Sequence, residues 1–184
     1  MRRSGRPPVG PPLPRRAIVW FLPAEVSGEV EAFRALHDPT ARAAAAHVAL
    51  VSPFASPLSS VQVAAHVRRV ASRWPVLPVE FAGSDAFEAR FVYLRMTRGW
   101  QALSELHDQL YRGVLAPFLR HGFRWELHLT IGVADDVDAC NAMLAHAAAA
   151  LRQPVVATIA SLCIVTLRRD GRVERGAEIP LGAA

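Results

Sequence analysis

The sequence predicts an α+β protein with two related lobes, each a small, mainly antiparallel sheet backed by helices. Short apolar runs that end at proline or glycine alternate with segments of helical periodicity. The order strand, helix, strand, helix, strand occurs twice along the chain, which indicates an internal duplication. Two such lobes would face each other across a central cleft.

Length and composition are those of a globular protein. The chain has 184 residues, 52% of them apolar and 20% charged, which suits one bilobal domain at residues 17–184. No apolar run approaches the roughly 18–20 residues of a membrane span. Residues 1–16 hold five arginines and five prolines without an apolar signal segment, and they predict a disordered tail.

The positive net charge does not predict a basic binding face. Five of the 21 basic residues lie in the tail, so the remaining 16 are balanced by 16 acidic residues. All basic residues are arginine, which excludes mechanisms that need a lysine, including a phosphate-loop lysine and Schiff-base chemistry. Cys140 and Cys163 are too few for a disulfide framework, so a reducing cytoplasm is expected.

The first half of the chain predicts three strands and two helices. Residues 17–22 form an apolar strand that ends before Pro23. A helix follows, with Ser27 as its expected N-cap, and then the strand in "AAHVALVSPF". A second amphipathic helix begins near Ser59 or Ser60. The strand in "VLPVEFAG" completes the half, and "GSDAF" is the expected turn to the next strand.

The second half repeats this order. The strand in "ARFVYLRM" precedes a long helix at about residues 99–119 and the strand in "WELHLTIG". Residues 135–151 predict a helix with acidic residues in its first turn, which favours the helix dipole. The remaining segment predicts strands, and "RDGR" is a hairpin signal between the last two.

One pattern of histidine, apolar, small and apolar residues occurs on a strand of each half, at residues 47–50 and 128–131. Because side chains alternate along a strand, each histidine shares a face with the residue two positions later, Ala49 or Thr130. An internal duplication would bring both histidines to the central cleft.

Two histidines at one cleft can form an acid–base pair. At phosphorus, the neutral ring of one activates water or a ribose 2′-hydroxyl, and the charged ring of the other protonates the departing oxygen. The hydroxyl of Thr130 would donate to a non-bridging phosphate oxygen. This chemistry needs no metal and no cofactor. The alternative for His128 and Thr130 is a polar pair without chemistry, and that alternative is stronger for His47, whose companion is alanine.

These motifs resemble those of the two-histidine (2H) phosphoesterase superfamily, in particular its bacterial 2′-5′ RNA ligase-like branch, which includes RNA 2′,3′-cyclic phosphodiesterases. The resemblance covers about residues 16–182, and "HLTIG" and "HVALVSPF" carry it most specifically. It implies a bilobal α+β fold with His-x-Thr/Ser-x motifs on facing strands. It also implies that His47, His128 and Thr130 act on a cyclic phosphate or phosphodiester of an RNA end or a nucleotide. We expect a cytoplasmic monomer with no membrane partner.

The sequence departs from that family at the first motif, where Ala49 replaces the expected Thr or Ser. Loss of one donor of this kind costs about 10²–10³ in rate in a well-studied oxyanion hole. Ala46 and Leu127 replace prolines that often precede the histidines, and "GVADD" lacks an arginine that several members carry. A weakened module that only binds a nucleotide or RNA phosphate is therefore the alternative function. Two retained histidines favour the enzyme, because phosphate binding does not need two titratable groups, and a purely structural protein leaves both unexplained.

Further candidates lie near the motifs. Phe54 follows the first motif strand directly and is predicted to stack on a base, with core packing as the alternative. No HExxH, CxxC or close His/Asp cluster occurs, so no metal site is predicted. Four arginines on predicted strands could reach a phosphate in the cleft, and the sequence does not choose among them: Arg90, Arg95, Arg168 and Arg175.

Overall fold

The computed structural model describes residues 13–120 and 127–182, which form two four-stranded antiparallel sheets and four α-helices. The strands are β1 (Arg15–Phe21), β2 (His47–Ala55), β3 (Leu77–Phe87), β4 (Phe91–Arg98), β5 (His128–Val133), β6 (Val155–Ile159), β7 (Ser161–Leu167) and β8 (Val173–Pro180). The helices are α1 (Ala24–His37), α2 (Ser60–Ala71), α3 (Trp100–Leu110) and α4 (Val137–Ala150). The predicted α+β class with two small antiparallel sheets is confirmed.

The two sheets have matching strand positions. The first sheet has the order β2-β1-β7-β8 and the second has the order β5-β4-β3-β6. In each, the strand with the motif histidine is an edge strand that pairs with the strand preceding it in the chain, β1 or β4. This equivalence agrees with the internal duplication that the sequence predicts.

Each sheet is backed by one helix from each half of the chain. Helices α2 and α3 contact strands of the first sheet, whereas α1 and α4 contact strands of the second. The apolar core is continuous across both sheets, and the rings of Trp20 and Phe81 stack with centroids 6.3 Å apart. The two halves therefore share one core, which fixes the position of one motif strand relative to the other.

The N-terminal boundary predicted at residue 16 is too late. Arg15 and Arg16 belong to β1. Arg16 is buried, and its guanidinium donates to the carbonyl of Leu58 at 3.0 Å. The rest of the predicted tail, residues 1–12, lies outside the described residues. Helix α1 also begins earlier than expected, directly after Pro23, and the Ser27 hydroxyl donates to the Ala24 carbonyl inside the first turn instead of capping the helix.

The turn predicted at "GSDAF" is part of β3. Gly83, with φ of +67°, lies where the β3–β4 register shifts, so it allows an irregularity within the strand rather than a reversal. The chain reverses after Phe87, where Glu88 and Ala89 have φ of 54° and 50°. Non-glycine residues in this region are uncommon, which explains why the sequence did not mark the turn.

The helix predicted at residues 99–119 is two elements. Helix α3 ends at Leu110, and a short 3-10 helix follows at Gly113–Phe118. Gly113 has φ of +60°, which interrupts the α-helix, and Pro117 lies inside the 3-10 segment.

Two elements of the second half agree well with the prediction. Asp136 caps α4 by accepting from the Ala139 backbone N–H at 2.8 Å. The "RDGR" hairpin joins β7 to β8, with the Arg168 N–H donating to the Arg172 carbonyl. Within the described ranges, no helix has the length and apolar character needed to cross a membrane.

Candidate active site

The two motif histidines lie at the first residues of the edge strands β2 and β5. These two strands contact each other, although they belong to different sheets. Both rings are half-buried, and burial lowers the pKa of His47, with a smaller contribution in the same direction from His128. The structure thus brings together the two residues that the sequence analysis paired.

The His47 ring is held by a backbone contact that fixes its tautomer. Its Nδ1 lies 2.8 Å from the carbonyl oxygen of Ala45, and because a carbonyl only accepts, Nδ1 is the donor. The lone pair of the neutral ring is therefore on Nε2. Burial is the largest effect on this ring and lowers the pKa of His47 below 6.5. The hydrogen bond to Ala45 acts in the opposite direction, and the positive charge of Arg34 adds to the effect of burial.

Each histidine has an aromatic neighbour on the adjacent strand. Phe21 is opposite His47 in the β1–β2 register, with ring centroids 5.7 Å apart and an interplanar angle of 58°. Tyr93 on β4 lies 5.3 Å from the His128 ring at 55°. Phe21 is directly opposite its histidine, whereas Tyr93 is opposite Thr130 and reaches His128 diagonally, so the two contacts are similar but not equivalent. The sequence analysis missed Phe21, although its alternation with the buried Trp20 and Leu22 places it on the histidine face.

The residues two positions after the histidines have different surroundings. Thr130 is half-buried on the His128 face, opposite Tyr93 in the β4–β5 register. Ala49 pairs with Val19 and packs against a small apolar cluster on the first sheet, which includes Ala17 and Val165. Next to His47 on its strand face, the surface is therefore apolar. Next to His128 on its strand face, Thr130 provides a hydroxyl.

A buried arginine that the sequence analysis did not single out orders the segment before His47. Arg34 of α1 is 2% exposed, and its guanidinium contacts Glu31 at 2.9 Å and Asp38 at 2.7 Å. It also donates to the carbonyl of Ala44 at 3.0 Å. The sequence does contain a pattern that could have identified this network, since Glu31 and Asp38 lie at helical spacing on either side of Arg34. Such a pattern usually occurs on a solvent-exposed helix face.

The two carboxylates complete this network. Glu31 accepts from the Ala46 backbone N–H at 2.6 Å. The other oxygen of Asp38 accepts from the backbone N–H and the hydroxyl of Thr40. Burial raises the pKa of Asp38, but the hydrogen bonds from Thr40 and Arg34 outweigh it and leave this pKa below the ordinary value. The network therefore ties α1 to the loop that ends at His47.

A cavity of about 410 Å³ is lined by Phe21 and Ala45, the two residues that contact the His47 ring, and by Arg175. His47 itself lines a smaller cavity of about 90 Å³, together with Phe21 and Ala49. The guanidinium of Arg175 lies 3.8 Å above the centre of the Phe21 ring. This stacked contact places a cation one ring away from His47.

The other three candidate arginines have different surroundings. Arg90 lies over the Phe91 ring at the β3–β4 turn, and Arg168 pairs with Glu174. Arg95 is opposite His128 in the register, but its guanidinium extends over Gly83 on the other side of β4. Arg175 is therefore the candidate whose guanidinium stacks on a ring that contacts a motif histidine.

Phe54 is a correction to the sequence analysis. Its side chain is 5% exposed and packs against Phe118 in the core, with centroids 5.1 Å apart. Phe54 is seven residues after His47, so strand alternation places it on the opposite, core-facing side of β2 with Val48 and Leu50. It does not line the cleft, and base stacking is no longer assigned to it.

Other titratable groups are located away from this pair. His66 and His107 are buried, and His37 contacts His146 between α1 and α4. Across residues 13–120 and 127–182, no group of three or more histidine, cysteine, aspartate or glutamate side chains has an arrangement that could hold a metal ion.

Comparison with known families gives one match that covers most of the chain. The model described as "2'-5' RNA ligase superfamily" matches residues 22–171, a range that includes both histidine motifs. A comparison with curated protein sequences gave no match.

Solved structures share the fold at low sequence identity. E. coli LigT complexed with NADP+ has a TM-score of 0.60 and 18% identity, over 94% of this chain and 100% of that chain. A protein described only as a phosphoesterase has a TM-score of 0.61 and 18% identity, over 92% of this chain and 99% of that chain. E. coli LigT complexed with 3'-AMP has a TM-score of 0.61 at 17% identity, with coverage of 94% and 100%.

The Arg34 network predicts a large decrease in stability when its cation is removed. Arg34→Met should lower the free energy of unfolding by about 3–5 kcal/mol, because it leaves the Asp38 carboxylate buried without its partner. Arg34→Lys keeps the charge but not the forked geometry and should have a smaller effect. Urea denaturation measures both values. An unfolding midpoint for Arg34→Met equal to that of the wild type would show that the network does not stabilise the fold.

Proposed function

Because the chain belongs to the 2′-5′ RNA ligase superfamily, we propose that it is a metal-independent phosphoesterase. Its substrate would be a 2′,3′-cyclic phosphate or a 2′-5′ phosphodiester, at an RNA end or in a nucleotide. The observation that carries this proposal is the arrangement of the two histidines, which are the first residues of two edge strands that belong to different sheets and contact each other.

His47 is proposed as the general base in hydrolysis. Its lowered pKa favours the neutral ring near neutral pH, and the Ala45 carbonyl keeps the proton on Nδ1. The Nε2 lone pair is then available to take a proton from water as the water oxygen attacks phosphorus. A bound ribose hydroxyl would replace water in the reverse, bond-forming direction.

His128 is proposed as the general acid. As the new phosphorus–oxygen bond forms, the bond to one ribose oxygen breaks, and protonated His128 donates its proton to that oxygen. The product is a phosphomonoester beside a free ribose hydroxyl, and a net proton moves from His47 to His128 through exchange with water. The Thr130 hydroxyl would donate to a non-bridging oxygen, where negative charge increases in the transition state.

Arg175 is proposed to contact phosphate on the side where Ala49 offers no hydroxyl. Both residues belong to the first sheet, and the Arg175 guanidinium stacks on Phe21, whose ring lies 5.7 Å from the His47 ring. The adjoining cavity of about 410 Å³ would take the nucleoside, with Phe21 as an aromatic surface in place of Phe54. Structures of E. coli LigT with 3'-AMP and with ATP support a nucleotide as the ligand class.

The alternative is a module that binds a phosphorylated nucleotide or RNA without turnover. Ala49 and the apolar side chains around it favour this function, since a hydroxyl is missing where the first motif should hold phosphate. A monomeric state and a cytoplasmic location remain predictions from the sequence, and both cysteines are free and buried.

The first test is hydrolysis of nucleoside 2′,3′-cyclic phosphates, and of a short RNA that ends in one, with a metal chelator present. We expect a bell-shaped dependence of kcat/KM between about pH 5 and about pH 9. The acidic limb should lie below pH 6.5, because the pKa of His47 is lowered and this group must lose its proton to act as base.

His47→Ala and His128→Ala should each abolish the activity, and His47→Ala should also remove the acidic limb from any residual rate. His146→Ala is a matched control, since His146 contacts His37 on the helix side of the second sheet. Turnover that survives both motif substitutions at the wild-type rate would overturn the two-histidine mechanism.

Arg175→Gln should lower kcat/KM by roughly 10²-fold if this guanidinium contacts the phosphate in the transition state. Arg172→Gln, at the β7–β8 turn where Arg172 pairs with Asp170, is the matched control and should leave the rate unchanged. Equal rates for Arg175→Gln, Arg172→Gln and the wild type would remove Arg175 from the site.

Ala49→Thr distinguishes the enzyme from the binding module. In an enzyme, the restored hydroxyl should raise kcat by up to about 10²-fold, whereas Ala49→Val, which has nearly the same shape without the hydroxyl, should not. In a binding module, Ala49→Thr would change only the dissociation constant for a nucleotide phosphate. Equilibrium titration beside the rate assay separates these results.

A further inference from the structure

A second cavity, of about 510 Å³, lies where the C-terminal ends of α2 and α3 meet. Its principal lining side chains are Arg69, Arg73, Trp74, Gln109 and Arg112. It shares no lining residue with the cavity at Phe21 and Arg175. Its lining residues belong to α2, α3 and the segments that follow these helices. We call it the arginine pocket.

The arginine pocket has a concentrated positive charge. Its lining contains three arginines and no carboxylate. Arg69, Arg73 and Arg112 are exposed, and none forms a salt bridge with another residue of the described part of the chain. The carboxylate of Asp108, next to Gln109 in the sequence, is 2.9 Å from His107 Nδ1 instead. An anion in this pocket would therefore not compete with an internal carboxylate.

The hydrogen bonds within the pocket occupy its acceptor atoms and leave N–H donors available to a ligand. His66 Nε2 donates to the Leu110 carbonyl at 2.8 Å, so its Nδ1 is unprotonated and accepts from the Arg69 guanidinium at 2.9 Å. The Trp74 indole N–H donates to Gln109 Oε1 at 3.0 Å. The remaining N–H groups belong to the guanidiniums and to the Gln109 amide. This set fits a ligand with several acceptor oxygens and negative charge.

The arginines are not needed to satisfy the end of α2. Helix carbonyls there already accept from backbone groups that follow the helix: Ser72 N–H donates to Arg68, Arg73 N–H to Val70, and Trp74 N–H to Ala71. The guanidiniums are therefore available to a ligand, although basic residues often occur at helix C-termini for their favourable interaction with the dipole.

We propose that the arginine pocket binds a phosphate group of a nucleotide or of a nucleic-acid strand, as a second site outside the histidine cleft. Arg69, preorganised by His66, would act with Arg73 and Arg112 on the phosphate oxygens. The half-buried indole of Trp74 would offer an aromatic surface to the attached base. This site does not depend on the catalytic proposal, because it uses none of the same residues.

The indole N–H resonance of Trp74 provides a local reporter. The chain has four tryptophans, and Trp74→Phe identifies the resonance by its disappearance. The full chain would be titrated with inorganic pyrophosphate and, separately, with a 5′-phosphorylated single-stranded RNA. We expect a saturable shift of the Trp74 resonance that weakens with added salt. Tighter binding of the RNA would identify a strand as the ligand, whereas equal or tighter binding of pyrophosphate would identify a free phosphorylated compound.

The double variant Arg73→Gln/Arg112→Gln should weaken binding tenfold or more, because removing one hydrogen bond between charged groups typically weakens binding about tenfold. Both side chains are exposed, so the fold should be kept, and the dispersion of the amide spectrum verifies this. Each single variant is measured as well. Arg152→Gln, near the end of α4 in the other lobe, is the matched control. No shift of the Trp74 resonance with either probe, or wild-type affinity in the double variant, would overturn the proposal.

Discussion

The buried guanidinium of Arg34 is the interaction on which the candidate site depends most directly. It joins α1 to the loop before β2 through Asp38, Glu31 and the Ala44 carbonyl. The same loop supplies the Ala45 carbonyl that holds the His47 ring, so the cation that orders the loop also orients the proposed base. A buried charge of this kind is costly unless every partner is present, and here the carboxylates are themselves satisfied by Thr40 and Ala46. Stability and site geometry are thus coupled in one network.

The shared core makes the cleft a property of both halves together. Each sheet packs on one helix from each half of the chain. Neither motif strand can therefore move far without disturbing the common core. The repeat is close where the histidines meet their aromatic neighbours, Phe21 and Tyr93. It diverges two residues later, where Ala49 faces an apolar cluster and Thr130 carries a hydroxyl. The two sheets therefore share a strand arrangement, while the residues two positions after the histidines differ in chemistry.

The arginines near His47 contribute positive charge that does not change near neutral pH. Arginine stays charged throughout the range in which histidine titrates, so the charges of Arg34 and Arg175 are constant there. Changes in charge near neutral pH then fall mainly on the histidines. Burial has the largest effect and lowers the pKa of His47, while Arg34 lowers it further and Asp38 at the same helix end acts in the opposite direction. The shift favours the neutral ring that the proposed general base requires.

The sequence by itself determined the fold class, the order of most elements and the pairing of His47 with His128, because strand alternation and the repeated motif depend on local residue patterns. It did not determine the β3–β4 turn or the break after α3, where Glu88, Ala89 and Gly113 adopt left-handed backbone conformations. Strand alternation also places Phe54, seven residues after His47, on the opposite face of β2, where the structure buries it. Tertiary structure alone decided that Phe21 contacts His47 and that Arg175, rather than Arg168 or Arg90, stacks on Phe21. Contacts between strands distant in the chain set those outcomes, and no local pattern records them.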